Sequence, residues 1–195
     1  MRSVILALAP VMLSATLTAN LSAQGVFSNK TQTVVEKVIQ DYPNHFHNIK
    51  GELIGPASSK TSRYRSTLEV PGSASSTITL VSASGTEGSG WTCTVLQTAS
   101  FEEARARYSE IYSQLSNSIV TAAGQKTFIL SGQYESPAAD KKENEVLFTL
   151  LPGVGEMKRL RVELILREEG SDWVVAISVN DGDARSQQQL AVNGR

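Results

Sequence analysis

The sequence predicts an α+β fold of two layers, in which helices cover one face of a largely antiparallel sheet. Three observations carry that prediction. Residues 100–118 hold an apolar stripe at helical spacing, Lys158–Arg167 alternates apolar with mostly charged residues, and short turns join the strand-like segments. The order is helix, three strands, helix, four strands, with the main helix at about 100–118 packed on one sheet face.

The chain opens on an export signal. Arg2 precedes the apolar run Val4–Leu13, and Ser, Thr, Ala and Asn residues lead to Leu21-Ser22-Ala23 before Gln24. The run is shorter than the roughly 20 residues a spanning helix needs. Cleavage is expected after Ala23, with Ala19 as the alternative, and no cysteine nearby offers a lipid attachment point. Three segments follow: 1–23 a signal peptide, 24–182 a single α+β domain, and 183–195 a polar C-terminal tail. The expected location is periplasmic or extracellular, with no transmembrane helix after signal cleavage.

Net charge is −1, and removal of Arg2 with the signal makes it −2. Near-neutrality leaves no electrostatic footprint for nucleic acid. A chain of 195 residues buries a core sufficient for one domain. The single cysteine, Cys93, excludes an intramolecular disulfide.

Within the domain, Val34, Val35, Val38, Ile39 and Tyr42 predict a helix over about 30–42, with Thr33–Glu36 in capping-box form and Pro43 as its stop. Residues 46–55 read as a short strand or an irregular run, and 56–62 as a loop. Strands are expected at Arg63–Val70, Ser76–Ala83 and Trp91–Thr98, with turns at Pro71-Gly72 and 84–90. Cys93 shares a strand face with Trp91 and Val95, the setting of a small buried thiol.

Ser100-Phe101-Glu102-Glu103 is a capping box. Phe101, Ala104, Tyr108, Ile111, Tyr112, Leu115 and Ile119 form the stripe behind it, with Glu103 and Arg107 paired on the outer face. Strands are then expected at Thr127–Tyr134, Val146–Leu151, Lys158–Arg167 and Trp173–Val179. Val146–Leu151 is apolar on both faces, as a central strand is. Residues 168–172 make a hairpin loop between the last two strands.

Candidate chemistry centres on His45 and His47. In an extended segment, residues i and i+2 project to one side, so the two rings suit one metal ion, with Asp41 or Glu52 as a third ligand. Cys93 with a histidine is the thiolate alternative, opposed by its strand position. No G-x-S-x-G or H-E-x-x-H occurs, and Gly153-Val154-Gly155 lacks a third glycine. Glu102/Glu103 sit in a helix's first turn and Glu168/Glu169 in a turn, both structural placements. Asn29-Lys30-Thr31 fits a glycosylation sequon, and Lys158, Arg159, Arg161 and Arg167 form a cationic row suited to an acidic partner.

With no catalytic residue and no cofactor indicated, the expectation is an exported, non-enzymatic domain that binds a protein or a small ligand. The alternatives are a small metal-dependent or hydrolytic enzyme using His45 and His47, and a chaperone-like or inhibitor domain. A homodimer through the sheet is a further expectation.

Overall fold

The computed structural model describes residues 29–182, except 57, 59, 84, 85, 123 and 125; the expected signal segment 1–23 and tail 183–195 lie outside the described residues. Helix α1 (Lys30–Asp41) precedes strands β1 (Lys50–Leu53), β2 (Thr61–Ser66), β3 (Ser75–Ala83) and β4 (Thr86–Thr98). Helix α2 (Phe101–Leu115) crosses over, and β5 (Ile119–Ala122), β6 (Lys126–Gly132), β7 (Glu143–Leu151), β8 (Leu160–Glu169) and β9 (Asp172–Asp181) follow. All nine strands form one sheet in the order β1-β2-β3-β4-β9-β8-β7-β6-β5, each pair antiparallel. The expected class and layering are present; β1 is the short strand of segment 46–55, and the four-residue β5 extends the expected sheet at its other edge. No helix among the described residues is long and apolar enough to cross a membrane.

Helix α2 is fixed at its start by local chemistry. Ser100 Oγ accepts from the Glu103 amide at 3.3 Å. The reciprocal half of the capping box runs through Thr98, whose hydroxyl donates to Glu103 at 2.6 Å and accepts from the Ser100 amide at 3.2 Å. Arg107 therefore pairs with Glu110 at 2.7 Å, not with Glu103 as expected. Ala104, Tyr108, Ile111 and Leu115 are buried, the Phe101 ring meets Trp173 at 4.9 Å, and Tyr112 reaches Phe148 at 5.7 Å. The helix stops at Leu115, three residues earlier than expected. Asn117 takes a left-handed φ of 58°, and the Ser118 hydroxyl donates to the Leu115 carbonyl at 2.7 Å. Ile119, the expected end of the stripe, lies instead on β5 and is 59 % exposed.

The helix-side face of the sheet carries the core. Trp91, Ile78, Phe128, Leu130, Phe148, Leu160, Val162, Leu164, Leu166, Val175, Ile177 and Val179 pack there under α1 and α2. Cys93 is buried among them, as its spacing from Trp91 and Val95 predicts, and burial pushes its thiol pKa up. Strand β2 ends at Ser66, earlier than expected, because the Leu68 carbonyl is captured. It accepts from Ser66 Oγ, Ser76 Oγ and Trp91 Nε1 at 2.8, 2.9 and 3.3 Å. Strand β4 starts at Thr86 inside the expected loop 84–90, since pairing of Gly88 with Val81 and of Gly90 with Thr79 and Asn180 overrides the weak strand preference of glycine.

The face away from the helices departs from the expected pattern in three ways. Strand β7 is third from the β5 edge, not central, and its second set of apolar residues is exposed, including Leu147 and Leu151. In the middle of the sheet this face is buried: Glu163, Ile165, Val174 and Ala176 have little contact with solvent, and Glu163 accepts from Asn180 Nδ2 at 3.1 Å. The cationic row is broken up. Lys158 belongs to a 3₁₀ turn, Arg159 pairs with Asp181 at 3.0 Å, Arg161 donates to the Lys158 carbonyl at 2.8 Å, and Arg167 binds Glu169.

At the β5 edge, α1 lays three side chains spaced by one turn along the strand. Gln32 Nε2 donates to the Ile119 carbonyl at 3.2 Å, Glu36 accepts from the Thr121 amide at 2.9 Å, and Gln40 Nε2 donates to the Thr121 carbonyl at 2.8 Å. The outward backbone groups of an edge strand are thus satisfied within the chain, which blocks edge-to-edge pairing. Helix α1 starts at Lys30, where it is expected, but its cap is Asn29 and not the Thr33 box. Asn29 Oδ1 accepts from the Gln32 amide at 2.9 Å and its Nδ2 donates to the Gln114 carbonyl at 2.5 Å. The sequon asparagine is therefore committed to a helix cap.

Candidate functional site

The segment after α1 turns sharply. The Asp41 carboxylate accepts from Asn44 Nδ2 at 3.1 Å, from Asn48 Nδ2 at 2.6 Å and from the Asn48 amide at 3.1 Å. The Asp41 carbonyl accepts from the Phe46 amide at 3.2 Å. Closing that turn drives His45 and Phe46 into the left-handed region, with φ of 53° and 61°. Histidine enters this region more readily than most residues, whereas a bulky phenylalanine does so at a cost of order 1–3 kcal/mol. Full burial of the Phe46 ring, 6.1 Å from Tyr42, offsets that cost. With Phe46 turned inward, His45 and His47 on either side of it face out. The extended His-Phe-His arrangement expected from sequence is thus a tight turn, with His47 opening a 3₁₀ helix.

Both histidines nevertheless line one cavity of about 240 Å³, at the ends of β2, β3 and β4. Its walls are Ser58, Lys60, Thr61 and Ser62 leading into β2, Leu80, Val81 and Ser82 at the end of β3, and Gly88 and Ser89 at the start of β4. Strand register sets Ser62, Leu80 and Ser89 side by side across the three strands. The Lys60 carbonyl accepts from the Ser82 amide at 2.8 Å, which ties the loop to the end of β3. Ser58 is spent on the same loop: its Oγ donates to the Thr61 carbonyl at 3.0 Å and accepts from the Thr61 amide at 2.8 Å.

The electrostatic character of this lining is one-sided. Lys60 and the two imidazoles contribute nitrogen, the serines and Thr61 contribute hydroxyls, and no Asp or Glu is among the described lining residues. A second ammonium stands beside them. Lys50 Nζ lies 3.3 Å from His47 Nδ1 and 4.7 Å from the centre of the Tyr64 ring. Lysine only donates, so this contact leaves His47 Nδ1 as acceptor. The carboxylates expected to complete a metal site are elsewhere: Asp41 is buried in its turn, and Glu52 sits exposed on β1 outside the lining. Among the described residues, no group of three or more His, Cys, Asp or Glu gathers in metal-binding geometry. Cys93 lies on the core face, buried and apart from the histidines.

Sequence reasoning found the histidines but not Lys60, Ser62, Ser82 or Ser89. Those residues are distant in the chain and meet only through the register of β2, β3 and β4, which no local pattern encodes.

Comparison with protein-family models finds no match, and comparison with curated proteins finds none. Among solved structures, the chain is similar to the extracellular domain of PknH from Mycobacterium tuberculosis. That match has 15 % identity and a TM-score of 0.32, and covers 66 % of this chain and 73 % of that one.

Proposed function

We propose that this chain is an exported, non-enzymatic binding domain whose small-ligand site is the cavity beneath the His45–His47 turn. The cavity carries the reading. Its walls are paired strand ends and a turn held by Asp41 and buried Phe46, so it is preformed, and it concentrates polar groups around an apolar floor at Leu80. At about 240 Å³ it lies below the roughly 300–1,000 Å³ of drug-sized sites, which suits a small molecule. Binding is favoured over covalent catalysis because Cys93 is buried away from the cavity and Ser58 Oγ is engaged by the loop backbone. Export rests on the order of residues 1–23.

Two measurements test this. N-terminal sequencing of the protein recovered from the envelope and medium of an expressing cell should begin at Gln24. In NMR titrations of the purified protein with small acids, sugars and amines, at least one class should shift amides of 60–62, 80–82 and 88–89 saturably. No saturable response at these positions would refute the binding reading.

A protein partner on the sheet is favoured by one observation. Ile119, Ile129 and Leu151 are direct cross-strand neighbours on β5, β6 and β7, and are 59 %, 45 % and 49 % exposed. Such a row suits a chaperone-like or inhibitor role, or a second copy of the chain meeting it face to face. Sedimentation of the protein with and without Ile129→Lys tests self-association through this face.

A further inference from the structure

We propose that the ligand of this cavity is a small acid bearing an oxyanion, a phosphate or a carboxylate, held by Lys60, His45 and His47. The inference rests on the cavity being the binding site and names what enters it. Three features point to an anion. Lys60 brings a cationic side chain to the wall, and Lys50 holds an ammonium against His47. Among the described residues, no carboxylate belongs to the lining to neutralise them. Ser89 is only 4 % exposed yet lines the cavity, and none of the side-chain hydrogen bonds among the described residues engages its Oγ. That hydroxyl is free to donate to an occupant of the cavity, and an oxyanion accepts from it. Ser62 and Ser82 add two more hydroxyls on the same wall.

The same features weigh against a metal ion as the occupant. A cation bridging His45 and His47 would sit in a cavity shared with Lys60, next to Lys50, with no carboxylate among the described lining residues to balance its charge. The arrangement of donors around a compact, positively charged recess instead resembles the way oxyanions are held elsewhere, by charge-assisted hydrogen bonds from nitrogen and hydroxyl groups.

The test is a set of calorimetric and NMR titrations of the purified protein with inorganic phosphate, acetate, a neutral sugar and Zn²⁺, at constant ionic strength. Phosphate or acetate should bind saturably with shifts at 60–62, 80–82 and 88–89, and the stronger of the two identifies the headgroup. Lys60→Gln should weaken that binding by about tenfold or more, as loss of a charged hydrogen-bond partner does. Paired His45→Asn and His47→Gln changes should weaken it comparably, asparagine being chosen because it tolerates the left-handed backbone. Lys37→Gln, on the exposed side of α1, should change nothing. Saturable binding of the sugar alone would overturn the anion assignment while leaving the binding site in place. Stoichiometric Zn²⁺ lost with the histidines, with no anion effect, would overturn it in favour of a metal. Anion binding indifferent to Lys60→Gln and to the histidine changes would overturn it as well, and absence of any binding would remove both the assignment and the site.

Discussion

Gly132 offers a substitution whose sign is decided by contact against propensity. Replacing a strand glycine with alanine ordinarily stabilises by about 0.4–1 kcal/mol, because the unfolded chain loses freedom. At Gly132 a Cβ would stand 2.7 Å from Phe148 Cδ1, and 3.0 Å from both Phe148 Cγ and Val146 Cγ1. Neither neighbour has room to retreat. Phe148 is fully buried, Val146 nearly so, and Tyr112 presses on the Phe148 ring while its hydroxyl donates to the Gly132 carbonyl at 3.1 Å. Overpacking of this kind costs about 1–3 kcal/mol, so Gly132→Ala should destabilise by a net ~1–2 kcal/mol. Gly90 is the control. Its Cβ would meet Asn180 Cβ at 3.5 Å, an ordinary contact, so Gly90→Ala should be neutral or stabilise by up to about 1 kcal/mol. Urea unfolding followed by tryptophan fluorescence gives both values, provided the m-values agree with the parent's. Equal or greater stability of Gly132→Ala would refute the packing argument, as would an equal loss in Gly90→Ala.

Three further outcomes are expected. Replacing Gln32 and Gln40 together with alanine strips two partners from β5, and should cost about 1–2 kcal/mol and produce concentration-dependent association in sedimentation velocity; a monomer of unchanged stability would argue against edge protection. Cys93 should resist a thiol reagent in the native protein and react fully in urea, because burial both hides the thiol and disfavours its thiolate; fast native labelling would contradict its placement. Burial raises the phenol pKa values of Tyr42, whose hydroxyl donates to Asp181 at 3.1 Å, and of Tyr108. A raised value means the folded state keeps a proton that the unfolded state releases. Stability from these two tyrosines is therefore complete below pH about 10 and declines as pH rises beyond it. Absorbance titration should show two of the five tyrosines ionising only with unfolding, whereas five ionising together in folded protein would rule this out.

What could be read from the sequence was what local pattern encodes. Helix α2 announces itself through Ser100, Glu103 and its stripe, and β8 through the alternation of Leu160, Val162, Leu164 and Leu166, all of them fully buried. Several of the misses share a cause, since they were settled by partners far along the chain. The edge strand β5 is four residues, too short for an alternating pattern to stand out, and is held by glutamines and a glutamate of α1. Leu147 and Leu151 look like core residues, yet the strand order leaves them facing solvent. The histidine pair was visible, but its turn depends on Asp41 acting as a cap and not as a ligand. The cavity was invisible for the same reason that it is specific: Thr61, Ser62, Ser82 and Ser89 meet there beside Lys60 only once β2, β3 and β4 have paired in register.

The placement of β9 has a consequence for when this protein can fold. The last strand of the sheet in sequence is its middle strand in space, inserted between β4 and β8. Until residues 172–181 are available, the chain holds two separate meanders, β1–β4 and β5–β8, each with a long unpaired edge facing the gap. A chain emerging N-terminus first from a ribosome stays in that divided condition until residues 172–181 have emerged. Closing the gap joins segments distant in sequence, which makes the final step slow relative to helix formation. In the meantime each half-sheet presents an unpaired edge at which another chain could pair, and β9 removes both edges at once.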